Sequence, residues 1–272
     1  MLEGLFWMAA AAYGLSFGLI MRNYLSREPQ PAPHVWWLVL LGAAAQGAAL
    51  VGGLRRDGGL MAVNLAASLE STALAMGLLY LVGWRLRREE IRAVGLLVLP
   101  LMMLLLVASQ LMPAGGPGPR EVANPLLIGH LVSSLLAYGL FTLALALALL
   151  ESFQEHALRF KEFGRWFAML PPLGALEERM FRLLRPAMAL LTISIVTGAI
   201  YSHQRLGIWI ALTHKVIFTW ATWVLFGVLL LGHRYQGWRG RRAVRFTVVG
   251  YLMLVLAYLG VKVVSELILH KQ

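Results

Sequence analysis

The 272 residues contain no cysteine, and that absence removes a large part of protein chemistry. There is no disulfide, no CxxC redox pair, no thiolate metal site and no CxxCH attachment for a covalent haem. Any ligating or reactive group must therefore be histidine, carboxylate, lysine or an aromatic side chain. Charge is scarce too: charged residues are 14% of the chain, against roughly a quarter in ordinary soluble domains. What charge exists is lopsided, with 24 Lys and Arg against 13 Asp and Glu, a formal net charge of +11. No basic soluble module of the kind nucleic-acid binding requires accompanies this excess, so no nucleic-acid partner is expected.

Hydrocarbon fills the rest. Hydrophobic residues make up 59% of the chain, more than a soluble core of this length needs. They fall into eight stretches, at about 2–22, 34–54, 60–84, 91–112, 126–150, 186–202, 209–232 and 244–269. Each approximates the roughly 17–25 residues that cross the hydrocarbon layer as a helix, the sixth being the shortest. The expected fold is all-α: a single integral membrane domain over residues 1–272, a polytopic bundle of about eight transmembrane helices. Four of these fall in residues 1–112 and the others in 126–272. The first stretch begins with an acid and lacks the basic start and small-residue cleavage site of a removable signal, so it reads as a retained helix. Its Gly14 and Gly18 have the spacing that lets two membrane helices approach closely.

Orientation follows from the basic residues, because cytoplasmic loops hold an excess of Lys and Arg. Alternate loops collect Arg22 and Arg27; Arg85, Arg87, Arg88 and Arg92; Arg159, Lys161, Arg165, Arg179, Arg182 and Arg185; and Arg234, Arg239, Arg241, Arg242 and Arg245. The remaining loops and the tail hold only Arg55, Arg56, Arg120, Arg205 and Lys271. Both termini are thus expected outside, with the positive charge facing the anionic lipid of the inner leaflet, so membrane lipid is one expected partner. Residues 151–185 mix Phe, Trp, Leu and Met with basic residues and are broken by Pro171-Pro172, which suggests two amphipathic helices on the inner membrane face. This segment and residues 233–243 are either surface-hugging linkers or docking sites for a cytoplasmic or membrane protein partner.

Sorted by depth, the histidines are uneven. His130 and His214 fall about four and five residues into helices that start outside, roughly 6–8 Å below the outer boundary at 1.5 Å per residue. His203 and His270 end helices on that side, whereas His34, His156 and His233 fall at inner positions. Intramembrane ionisable groups cost about 2.5–3.5 kcal/mol each on insertion scales, so they usually face a partner or a functional site. Here they are Glu70, Lys215, Lys262 and Glu266. Lys262 and Glu266 are four apart and can pair on one helix. Glu70 and Lys215 have no partner on their own helices; they could meet each other, or Glu70 could be neutral.

Two neutral imidazoles at similar depth in an apolar bundle can ligate a haem iron axially. Trp209, Trp220, Trp223 and Tyr138 could line a flat apolar slot, and Arg120 or Arg205 could hold propionates. The same histidines could equally be hydrogen-bonded packing groups. No other metal site is suggested.

A resemblance adds weight to the first reading. RPAMALLTISIVTGAIYSHQRLGIWIALTHKVIFTWATW from Arg185, then GHRYQGWRGRRAVRFTVVGYLMLVLAYLGVKVV, together with HLVSSLLAYGLF at 130–141, resemble the cytochrome c assembly family of membrane proteins, the group including CcmC, CcsA and HemX. In haem-handling members a motif of the form WGxxWxWDPK is followed by TW. Gly207 matches the glycine, Lys215 the lysine and Thr222-Trp223 the later TW. Leu206, Ile210 and Leu212 stand at the tryptophan positions, Thr213 at the aspartate and His214 at the proline. The chain is therefore more similar to the HemX-like and YpjD-like branch of bacterial inner-membrane proteins, in which an HK pair opens the helix and GWRGRRAVR forms the inner loop. His130 matches the histidine heading the HxxxxxLAY helix, an outer haem ligand in haem-handling members; His214 has no such equivalent. The resemblance implies a multi-pass inner-membrane protein that is not an enzyme and binds or handles haem b non-covalently, with His130 as the matched ligand; His214 and His203 are further candidate ligands by their position near the outer face. Two other functions fit the residues: an accessory or regulatory protein acting through its basic cytoplasmic loops, and a small-solute or ion transporter using Glu70, Lys215 and Lys262.

Overall fold

The computed structural model describes residues 2–26, 33–56, 65–86, 88–112, 124–160, 172–209 and 213–257. Within them the chain is helical, in the order α1 (Leu2–Leu25), α2 (Pro33–Arg56), α3 (Leu65–Leu86), α4 (Arg88–Leu111), α5 (Pro125–Phe160), α6 (Leu173–Leu206), α7 (His214–Gln236) and α8 (Arg241–Val255). The first seven are long and apolar enough to cross a membrane. Of the eighth expected span, 244–269, the residues beyond Ala257 lie outside the described residues, Lys262, Glu266 and His270 among them. The chain is a polytopic helical membrane protein.

It divides into two compact units, Met1–Val122 with Phe153–Leu173, and Ala123–Ser152 with Gly174–Gln272. In the first unit α1 packs on α2, α2 on α3, α3 on α4 and α4 back on α1, closing a four-helix ring. The reason lies in the spacing of the buried residues. On α1 these include Phe6, Ala9, Tyr13, Ser16 and Ile20, and on α3 Leu69, Ala73, Met76, Tyr80 and Trp84. Steps of three and four keep one seam of each helix turned inward, and alanines on those seams let the backbones come close. The outward faces remain apolar, with Trp7, Leu15, Trp37, Leu41, Leu78, Val82 and Leu104 exposed, as a lipid-facing surface requires.

In the second unit aromatic and polar side chains join the helices. Phe141 of α5 stacks on Phe226 of α7 at 4.4 Å, and Thr142 of α5 lies 2.9 Å from the Tyr251 hydroxyl of α8. Trp223 of α7 donates its indole N–H to Thr192 of α6 at 2.9 Å.

Three boundaries differ from the sequence expectation, each for a physical reason. α6 runs through Pro186 instead of starting there, since a proline inside a membrane helix removes one hydrogen bond without ending the helix when neighbours support it. Residues 151–160 and 173–185 continue α5 and α6 instead of forming separate helices, whereas 161–171 lie outside the described residues. With 36 and 34 residues, these helices reach about 54 and 51 Å and outrun a hydrocarbon core of roughly 30 Å. Lastly, α7 starts at His214, because the Thr213 hydroxyl caps it by accepting from Val216 N.

Candidate functional site

Histidine 130 is the sixth residue of α5, and α6 supplies everything that holds its ring. The Nδ1–H of His130 donates to the backbone carbonyl of Ser194 at 2.7 Å, and Ser194 Oγ lies 3.1 Å from the same nitrogen. Ser194 Oγ is itself 2.6 Å from Ser134 Oγ, one turn along α5 from His130. The ring fits because position 198 is glycine: a Cβ there would come within 2.9 Å of Nδ1. A carbonyl oxygen only accepts, so Nδ1 carries the hydrogen, and in the neutral ring Nε2 keeps its lone pair. That is the arrangement of a metal-ligating imidazole whose second nitrogen is fixed by a backbone carbonyl.

His130 lies against residues 194–198 of α6, and Trp223 of α7 meets the same stretch of α6 at Thr192.

His214 is exposed at the first position of α7. Its neighbour Lys215 is exposed too. His203 is half-buried and stacked on Trp209 at 4.1 Å with the rings 13° apart. Its Nδ1 is buried and has no hydrogen-bond partner among the described residues. Gly207 (φ 70°) makes the turn that brings Trp209 back, and Ser202 Oγ donates to the Ile208 carbonyl across it at 3.0 Å.

Of the aromatic residues expected to line a slot, Trp209 and Trp220 are exposed, Trp223 is fixed by Thr192 and edges Trp220 at 5.9 Å, and Tyr138 is half-buried on α5. Arg205 is exposed at the end of α6, and Arg120 lies outside the described residues. Among the described residues no three His, Asp or Glu side chains gather as a bare-metal site. An iron already held by a macrocycle, which asks for one or two axial nitrogens, suits this donor set better.

Glu70 belongs to the first unit. Its Oε1 accepts from Ser109 Oγ at 3.1 Å and from Gln110 Nε2 at 3.4 Å, both on α4. Its backbone carbonyl accepts from Gln46 Nε2 of α2 at 2.8 Å, and Gln46 Oε1 accepts from the Tyr13 hydroxyl of α1 at 2.8 Å. One polar chain, Tyr13–Gln46–Glu70–Ser109, joins all four helices.

Sequence reasoning missed Ser194 and Gly198, the two residues that hold and admit the His130 ring. A Ser and a Gly four apart in an apolar run mark a face where another helix can approach, but nothing in the run says which side chain fills the space. Gln46 and Ser109 were missed for the same reason.

The sequence model described as Cytochrome C assembly protein matches residues 62–269. Inner membrane protein YpjD of Escherichia coli is 34% identical over 146 residues, 54% of this chain and 54% of that protein. A 28.8 kDa protein of Azospirillum brasilense is 31% identical over 237 residues, 87% of this chain and 86% of its own. Protein HemX of Bacillus subtilis is 24% identical over 138 residues, 51% and 50% of the two chains. The matches thus span about half the length of YpjD and of HemX.

Proposed function

The chain belongs to the cytochrome c assembly protein family, and from that premise we propose that its second unit binds haem b non-covalently at the end where α5 and α7 begin. His130 would hold the haem iron through Nε2, and His214, exposed at the first position of α7, would be its second ligand. Lys215 is the counter-charge for a haem carboxylate. The observation that carries this reading is the 2.7 Å bond from His130 Nδ1 to the Ser194 carbonyl, which fixes the ring and leaves the lone pair on Nε2. The exposed Trp209, Trp220 and Ile217 near His203 and His214 offer a flat apolar surface for a porphyrin. Bound haem supplies an iron able to change oxidation state; the chain's own residues bind, orient and shield it. With no cysteine and without the WGxxWxWDPK motif, the protein binds or senses haem without forming a thioether bond, as a multi-pass protein of a bacterial inner membrane.

The test is an absorption spectrum of the full-length protein in detergent, oxidised and reduced, with haemin added if it purifies colourless. Low-spin six-coordinate bands are expected. His130→Ala should abolish them, His214→Ala should give a high-spin five-coordinate spectrum, and His203→Ala should leave the low-spin bands in place. A protein that takes up no haem under either condition overturns the proposal.

A further inference from the structure

The opposite end of the second unit is more ordered than a charged loop needs to be. From Gly232 to Phe246 the sequence GHRYQGWRGRRAVRF holds five arginines and no acid. α7 ends on Gly237 (φ 65°), whose left-handed conformation lets Trp238 N reach the Gly232 carbonyl at 3.1 Å. The indole of Trp238 folds over Gly232, where a Cβ would meet the ring at 2.5 Å. The His233 ring stacks on Phe181 of α6 at 3.5 Å, and its Nδ1–H donates to the Trp238 carbonyl at 3.0 Å. Glu177 of α6 accepts from Gly240 N at 3.2 Å and lies 3.6 Å from Arg239 Nε. Phe246 packs on Trp238 at 5.1 Å, and the Arg242 guanidinium lies over that indole at 5.0 Å.

Charge bias across a membrane depends on how many basic residues a loop has, not on where each one points. This hairpin fixes two of them, Arg239 against Glu177 and Arg242 over Trp238. It also uses arginine at every basic position, and the guanidinium fork matches a phosphate bidentately where lysine offers only a point charge. Arg242 and Arg245 are exposed and three apart on the first turns of α8, so they share a face. Around them stand Trp238, Phe246 and Tyr235, the last 79% exposed; tryptophan and tyrosine are the aromatics that favour headgroup depth.

We propose that this hairpin is a binding site for the phosphate of an anionic phospholipid in the leaflet it faces. Arg242 and Arg245 hold the phosphate oxygens, and Trp238 acts as a positioning residue by stacking beneath Arg242. Lipid is favoured over an acidic peptide because the arginines and interfacial aromatics lie together at the end of spanning helices.

The experiment uses the full-length protein in detergent and counts lipid adducts by native mass spectrometry. Phosphatidylglycerol and phosphatidylcholine are added in separate arms, and inorganic phosphate competes in a third. Phosphatidylglycerol should bind in preference, and the double variant R242K/R245K, which keeps the charge, should lose about tenfold of that preference. R242Q/R245Q should lose more, since each basic residue near an anionic surface contributes about fivefold. Thermal stabilisation by phosphatidylglycerol should fall in the same order, with circular dichroism confirming that the variants are folded. Equal binding of the two lipids, full binding by the double lysine variant, or displacement of lipid by inorganic phosphate each overturns the proposal.

Discussion

Gly198 lies against the ring of His130, with the space for a Cβ already taken by Nδ1 and Cε1 at 2.9 and 3.0 Å. Gly198→Ala should therefore push the ring off the Ser194 carbonyl while improving the helix propensity of α6. Haem affinity is expected to fall by about tenfold or more, the usual scale for loss of a ligand-orienting contact. Helix content should not change. Haemin titration with circular dichroism on the same samples checks both, and an unchanged affinity would mean that the His130 orientation is irrelevant to haem.

Ser194→Ala makes the opposite prediction. The substitution removes the hydroxyl 3.1 Å from Nδ1 and leaves the carbonyl at 2.7 Å. Since the carbonyl is the group that fixes the tautomer, haem affinity should stay within about threefold of the native protein, well short of the 10–100-fold typical when an orienting partner is lost. Titration of the two variants side by side separates the roles of backbone and side chain.

In the first unit, Gln46 is the residue to test for stability. It is buried, accepts from Tyr13 and donates to the Glu70 carbonyl, which keeps its bond within α3, so Gln46→Leu takes the acceptor from the Tyr13 hydroxyl in an apolar bundle. A cost of about 1–3 kcal/mol is expected. Ser109→Ala removes one donor to Glu70 and should cost about 0.6 kcal/mol, the average for interhelical hydrogen bonds in membranes. Thermal unfolding in detergent should rank Gln46→Leu clearly below Ser109→Ala; the reverse order would remove Gln46 from the centre of the polar chain.

Topology has its own check. With seventeen basic residues in one set of loops and five in the other, reporter fusions should place residues 151–185 and 233–243 in the cytoplasm and 113–125 outside. A cytoplasmic reporter at 113–125 would invert the membrane and place the histidine end of the second unit on the inner side.

The sequence by itself determined that the chain is a membrane protein of helices, about how many there are, and where most of them lie. Those properties depend on local composition: an apolar run long enough to span hydrocarbon must satisfy its own backbone, and only a helix does that within one segment. The resemblance in 130–141 and beyond 185 also fixed the family, because a motif is a local pattern. The start of α7 shows where composition alone fails, since hydropathy placed it near residue 209 and the Thr213 cap moved it to His214. Only the tertiary structure decided that His130 leans on Ser194 over Gly198, and that Glu70 finds Ser109 and Gln110. Ser194 is sixty-four residues from His130, and Ser109 thirty-nine from Glu70. Lipid is equally apolar on every side of a helix, so hydropathy does not specify which face meets which neighbour; the stagger and rotation of packed helices do.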